Sequence, residues 1–106
     1  QKRWNQNFGH DWCHTNSNAV ICAVALLWGE NDFGTSICRA IAPGFDTDCN
    51  GATVGSIFGM MRGTDAVTST WARKLNNTLK TSMAGYENVA IDKIAADTFD
   101  VYKKIR

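Results

Sequence analysis

The longest apolar run in the sequence, Ala19-Val-Ile-Cys-Ala-Val-Ala-Leu-Leu-Trp28, constrains the fold more than any other feature. Ser17 or Asn18 can cap it and Gly29 can end it, so it reads as a helix apolar on nearly every face. Such a helix belongs inside a larger body. The run is too short to cross a bilayer, which takes about 20 apolar residues. The chain that must supply that body has 106 residues, enough for one modest domain. A chain of this size buries only about 65% of the surface it exposes when unfolded. The first residue is Gln1 rather than Met, which for a cytosolic product suggests a piece of a longer protein.

With 44% hydrophobic residues, 20% charged residues and four tryptophans, the chain is too apolar for a disordered segment. Eleven basic against ten acidic residues leave a formal charge of +1, and no run of five like charges occurs. The footprint of a nucleic-acid or membrane-surface binder is therefore absent, and neither is expected as a partner. The opening Gln1-Lys2-Arg3-Trp4-Asn5-Gln6-Asn7 is polar where a secretory signal has an apolar core, which points to a soluble, cytoplasmic protein. Cys13, Cys22, Cys38 and Cys49 contain no Cys-x-x-Cys pair, and Cys22 and Cys38 sit among apolar residues. Buried reduced thiols are the expectation, ahead of disulfides or a zinc site that includes Cys13 and His14.

Asp32 is the next capping residue, with Phe33, Ile37, Cys38 and Ile41 at helical spacing before Pro43-Gly44 stops the segment. The stretch Gly44 to Gly51 is dense in turn formers and reads as a loop. Ala52 to Met61 is helical in period, with Val54, Ile57, Phe58 and Met61 on one face and Gly51, Gly55 and Gly59 spaced by four on another. An interior glycine costs about 1 kcal/mol relative to alanine, so the row asks for a close neighbour. Gly63 ends this helix. A short helical piece over Val67 to Leu75, the pair Asn76-Asn77, and a small hairpin from Leu79 to Met83 and Asn88 to Ile91 follow. Asp92 then caps a last amphipathic helix with Ile94, Ala95, Thr98, Phe99, Tyr102 and Ile105 inward. The fold class is all-α, mainly helical, with a short hairpin near residues 79–91, and residues 1–106 form a single segment. Trp28 and Trp71 read as core residues rather than platforms for a base. His10 reads as water-facing.

Asp46 and Asp48, one residue apart ahead of a helix, can aim two carboxylates at one point, as a hard divalent cation requires. From spacing alone, capping or turn chemistry is the commoner use of such residues. The opening Asp46-x-Asp48-x-Asn50-Gly51 also matches the start of an EF-hand loop. That loop needs a bidentate glutamate at its twelfth position, where this chain has Ile57, so a calcium sensor is not expected. His14 can cap the apolar helix or face the site as a polar positioning group.

The stretch Pro43-Gly-Phe-Asp-Thr-Asp-Cys-Asn-Gly-Ala-Thr-Val-Gly-Ser-Ile-Phe-Gly59 resembles the C-terminal metal motif of the ADP-ribosylglycohydrolase family, Gly-x-Asp-Thr-Asp-Thr followed by a helix rich in small residues. His14-Thr15-x-x-Asn18-Ala19, Trp28-Gly29-x-x-Asp32-Phe33, Trp71 and Ile91-Asp-Lys-Ile-Ala-Ala-Asp-Thr98 extend the resemblance over most of the chain. It implies an all-α fold holding two divalent cations, Mg²⁺ or Mn²⁺, that bind the ribose of ADP-ribose. It also implies cleavage of the bond between that ribose and an acceptor. Carried over by position, Asp46 and Asp48 become metal ligands, Cys49 takes the place of a threonine whose hydroxyl helps ligate, and His14 and Asn18 become substrate-binding candidates.

The family places further ligands and its acid residues, a glutamate and a Thr-Asp-Asp cluster, in an N-terminal part that has no counterpart in this sequence. The chain is therefore expected to be the C-terminal portion of a longer ADP-ribosylglycohydrolase-like domain, inactive or weakly active alone. Its expected partners are ADP-ribose or an ADP-ribosylated substrate, and the missing N-terminal segment or another copy of the chain. The alternative is a non-catalytic ADP-ribose-binding or structural protein of the same fold, as the family's lens crystallin relatives suggest.

Overall fold

A computed structural model describes residues 11–67 and 69–106. His10 and the segment before it lie outside the described residues. The chain divides into two compact units, residues 1–68 and 69–106. The fold is mainly helical, as the hydrophobic periodicity implies, with one small hairpin.

The first unit is built from α1 (Thr15–Leu27), α2 (Phe33–Ile41) and α3 (Thr47–Arg62), followed by a 3₁₀ turn over Thr64–Ala66. The α1 helix starts earlier than Ser17 or Asn18. His14 is the N-cap, in extended backbone, and its Nδ1 accepts from the Asn16 amide at 3.3 Å. Ser17 is buried within the first turn. Asp32 caps α2 as its spacing implies, accepting from the Thr35 amide at 2.7 Å. That bond holds the Asp32 carboxyl below its ordinary range.

The α3 helix begins at Thr47, five residues before the Ala52 expected from the turn formers. The connection from α2 is short, and Gly44 takes a left-handed backbone in it, at φ +73°. From Asp46 onward the chain winds, with the Asn50 amide donating to the Asp46 carbonyl at 2.8 Å. Asn50 favours turns because its side chain competes for nearby backbone groups. Here that side chain is 2% exposed and bonds to Asn18 of α1, so the competition is removed.

The core of this unit is Cys22 and Ala25 from α1, Ala40 from α2 and Val54 from α3, with Leu26 and Ile37 packed against it. Phe58 is buried too, edge-on to Phe33 with ring centroids 5.9 Å apart. Small side chains at these positions let the three helices approach closely. A Cβ built at Gly55 would meet Ile37 and Phe33, and one at Gly51 would meet Ile41, at ordinary contact distance, so α2 faces two of the spaced glycines without a close approach that requires them.

Val20, Val24 and Leu27 are exposed, and Trp28, expected in the core, is 60% exposed. Among the described residues of this unit, α2 and α3 are the helices that pack on α1. On α3, Ile57 and Met61 are exposed while their expected face-mates Val54 and Phe58 are buried. All four cysteines are free, but only Cys22 is buried. Cys38 falls outward because Ser36 and Ala40, one turn apart, form the buried edge of α2.

The second unit holds the single turn α4 (Ser69–Ala72), a 3₁₀ turn over Arg73–Leu75, β1 (Thr78–Lys80), β2 (Asn88–Ala90) and α5 (Ile91–Ile105). Trp71, expected in the core, is 41% exposed on that short turn. Asn76 and Asn77 both adopt left-handed backbone, which asparagine tolerates better than most residues. The strands pair antiparallel with Leu79 opposite Val89. Asp92 is not the cap of α5. Ala90 holds that position, and the Asn77 side chain accepts from the Asp92 amide at 3.1 Å. Of the expected inward face of α5 only Ile94 is half-buried, while Phe99, Tyr102 and Ile105 are exposed. The Tyr86 hydroxyl and the Lys93 ammonium both donate to Asp97, at 2.9 and 2.6 Å, fastening the hairpin loop to the helix.

Among the described residues no helix is long and apolar enough to cross a membrane.

Candidate metal centre

The early start of α3 determines the geometry of the acidic motif. Asp46 is the N-cap, Thr47 and Asp48 are the first two helical residues, and Cys49 is the third. A side chain at the third position projects back over the cap, as the glutamate of a capping box does. Asp46, Asp48 and Cys49 thus bring one ligand atom each into a group whose members all lie within 4.8 Å of one another. Asp46 is half-buried, and Asp48 and Cys49 are exposed.

The capping role that the sequence left open for Asp46 is filled by position only, because its side chain accepts no cap hydrogen bond from the helix backbone. The carboxylate instead takes a hydrogen bond from the Cys49 thiol. That bond, and next the negative charge of the same carboxylate, hold the thiol above its ordinary pKa. Cys13 is held up as well, first by partial desolvation and then by a bond to Asp11, with Asp46 adding a smaller push.

An amide pair anchors the Asp46 backbone. Asn18 Oδ1 accepts from the Asp46 amide at 3.3 Å and from Asn50 Nδ2 at 2.7 Å. Its own Nδ2 donates to the carbonyls of Trp12 and His14, at 2.8 and 3.1 Å. Asn50 Oδ1 in turn accepts from the buried Cys22 thiol at 3.4 Å. Asn18 therefore ties the start of α1 to the start of α3. His14, the other substrate-binding candidate, is an exposed cap of α1 and is not a member of the three-residue group. Asn50 went unnoticed in the sequence because Asn-Gly reads first as a turn signal. A clue was available, since Asn50 lies one helical turn ahead of Val54 and two ahead of Phe58, on the buried face of α3.

Two carboxylates and a sulfur within this span suit one edge of the shell of a divalent cation. Carboxylate oxygens are hard donors of the kind Mg²⁺ and Mn²⁺ accept. Three donors do not complete a six-coordinate shell, so water, substrate or other groups must supply the rest.

A sequence model of ADP-ribosylglycohydrolases matches residues 2–104, nearly the whole chain. The chain belongs to the ADP-ribosylglycohydrolase family. Neither a curated protein nor a solved structure matches it. The family comprises hydrolases of ADP-ribose linkages and is typically metal-dependent. The mainly helical architecture agrees with that membership, and the Asp46, Asp48 and Cys49 group lies within the matched span.

Proposed function

We propose that this chain is the C-terminal portion of a metal-dependent hydrolase that cleaves the glycosidic bond between ADP-ribose and an acceptor. The observation that carries the reading is the convergence of Asp46, Asp48 and Cys49 at the start of α3, in a chain of this family. Asp46 and Asp48 hold divalent cations, for which the motif resemblance names a pair of Mg²⁺ or Mn²⁺, and Cys49 is the third side chain at the site. When bound, such ions orient ribose hydroxyls and a water nucleophile and stabilise developing charge. The chain's own contribution is to aim the two carboxylates. Asn18 and Asn50 fix the backbone from which Asp46 projects, and the start of the α3 helix fixes the angle between Asp46 and Asp48. Asn18 acts in this reading through Asp46, and His14 acts by opening α1.

The remaining ligands and the acid residue come from an N-terminal segment or a second chain, so residues 1–106 alone bind weakly and turn over little or nothing. A second reading, ADP-ribose binding without catalysis, draws on the sulfur at Cys49, which is a poor donor for Mg²⁺.

The test is the thermal melt of the 106-residue chain with Mn²⁺ and ADP-ribose, beside an Asp46→Asn, Asp48→Asn double variant. Ligand at a hundred times its Kd adds about 2.7 kcal/mol to the folded state. A rise in Tm that the double variant loses supports the reading. A shift retained in the double variant overturns the assignment of these aspartates, and a folded chain whose Tm is unmoved limits this segment to at most half of the site. Release of ADP-ribose by this chain would overturn the non-catalytic alternative.

A further inference from the structure

The group at the start of α3 is not an all-oxygen set. Because α3 begins at Thr47, Cys49 occupies the third helical position and its sulfur lies with the Asp46 and Asp48 oxygens inside a 4.8 Å span. A zinc ion holds sulfur at about 2.3 Å and carboxylate oxygen at about 2.0–2.2 Å, so donors sharing one ion are at most roughly 4.5 Å apart. The observed span needs only small side-chain rotations to meet that limit. Cys49 and Asp48 are exposed, which leaves them free to make such rotations. The backbone beneath is held more firmly, through the bonds from Asn18 to Asp46 and Asn50.

We infer that Cys49 is a metal ligand that makes this a mixed oxygen and sulfur site, selective for borderline divalent ions such as Zn²⁺ and Co²⁺ over Mg²⁺. The inference rests on the reading that Asp46 and Asp48 hold a cation, and it names the class of ion. Mg²⁺ is small and hard, takes oxygen donors and retains its water, and so gains little from sulfur. Zn²⁺ and Co²⁺ bind thiolate well and stand further along the affinity series for mixed donor sets. On ligation the thiol proton passes to solvent and the sulfur takes up the metal bond.

Cobalt reports sulfur ligation directly through a thiolate-to-metal charge-transfer band in the near ultraviolet. The experiment is a titration of the 106-residue chain with Co²⁺ alone, kept reduced, followed by competition with Zn²⁺ and with Mg²⁺. Variants are Cys49→Ser, Cys13→Ser and the Asp46→Asn, Asp48→Asn pair, each checked for an unchanged helical spectrum. The expected result is a charge-transfer band in the parent and in Cys49→Ser its loss, with Cys13→Ser retaining it. Zn²⁺ abolishes the band, and a hundredfold excess of Mg²⁺ does not. Affinity for Co²⁺ falls roughly tenfold or more in Cys49→Ser, the scale on which lost metal-site contacts are felt.

A band that survives Cys49→Ser overturns the inference by assigning the sulfur elsewhere. Co²⁺ binding with no band, displaced by Mg²⁺ and lost in the aspartate pair, overturns it while leaving Asp46 and Asp48 as ligands. Absence of Co²⁺ binding in the folded chain overturns the inference.

Discussion

A methyl group added at Gly29 has nowhere to go. A Cβ built there overlaps Ser36 Oγ and lies 2.5 Å from the Ala25 carbonyl oxygen and 2.9 Å from Ser36 Cβ. Ser36 is fully buried, and its hydroxyl donates to the Asp32 carbonyl at 2.8 Å, so it cannot swing aside without losing that bond. The Ala25 carbonyl belongs to the α1 backbone and cannot yield locally. Gly29→Ala therefore carries a lost hydrogen bond of about 1 kcal/mol and an overpacking cost of about 1–3 kcal/mol. The lower entropy of the unfolded chain returns about 0.4–1 kcal/mol. The net expectation is a destabilisation of about 2–3 kcal/mol. Urea denaturation of the parent and variant, read as a lower midpoint at unchanged slope, measures it. Adding Ser36→Ala should restore only part of the loss, because the Ala25 contact remains. A Gly29→Ala chain as stable as the parent would refute the argument that this corner is closed to a side chain.

Gly59→Ala makes the opposite prediction from the same substitution. Among the described residues nothing lies within 4 Å of its Cβ position in the interior of α3, so stability should rise by about 1 kcal/mol, and a lower melting temperature would show an unseen neighbour. Asn50→Ala removes the bond to Asn18 and the acceptor of the Cys22 thiol, with an expected loss of about 2 kcal/mol in urea unfolding. Asn50→Asp should cost more, because it sets a carboxylate oxygen against Asn18 Oδ1, and an Asp variant as stable as Ala would contradict this geometry. In the second unit, the Lys93 bond first and the Tyr86 hydroxyl next hold Asp97 below its ordinary pKa, a contribution present above the unfolded value and lost as pH falls through the folded one. Lys93 and Tyr86 are both raised, chiefly by their bonds to Asp97, so their contributions are present below the unfolded values and lost as pH rises through the folded ones. Melting temperature against pH should fall at both extremes, and Asp97→Asn should flatten both limbs.

Much of the local structure was legible because its causes lie within a few residues of chain. Asp32 bonds to an amide three residues on, Pro43-Gly44 interrupts α2, Gly63 closes α3, and Leu79 and Val89 face each other across the hairpin. The Asp46-Thr47-Asp48 motif and its family were readable in the same way. The start of α3 was not, because the partner that frees Asn50 to enter a helix is Asn18, 32 residues away. The Asp92 cap failed for a similar reason, since Asn77 reaches in from across the hairpin, 15 residues away. Which side of α1 is buried was equally hidden, because a helix apolar all round carries no preference until α2 and α3 choose a face. The sequence alone determined the donors near the site, their spacing and the helical class of the fold. Only tertiary structure decided that Cys49 turns back over Asp46, because an amide side chain that can stop a helix locally will extend one instead when a distant amide takes its hydrogen bonds.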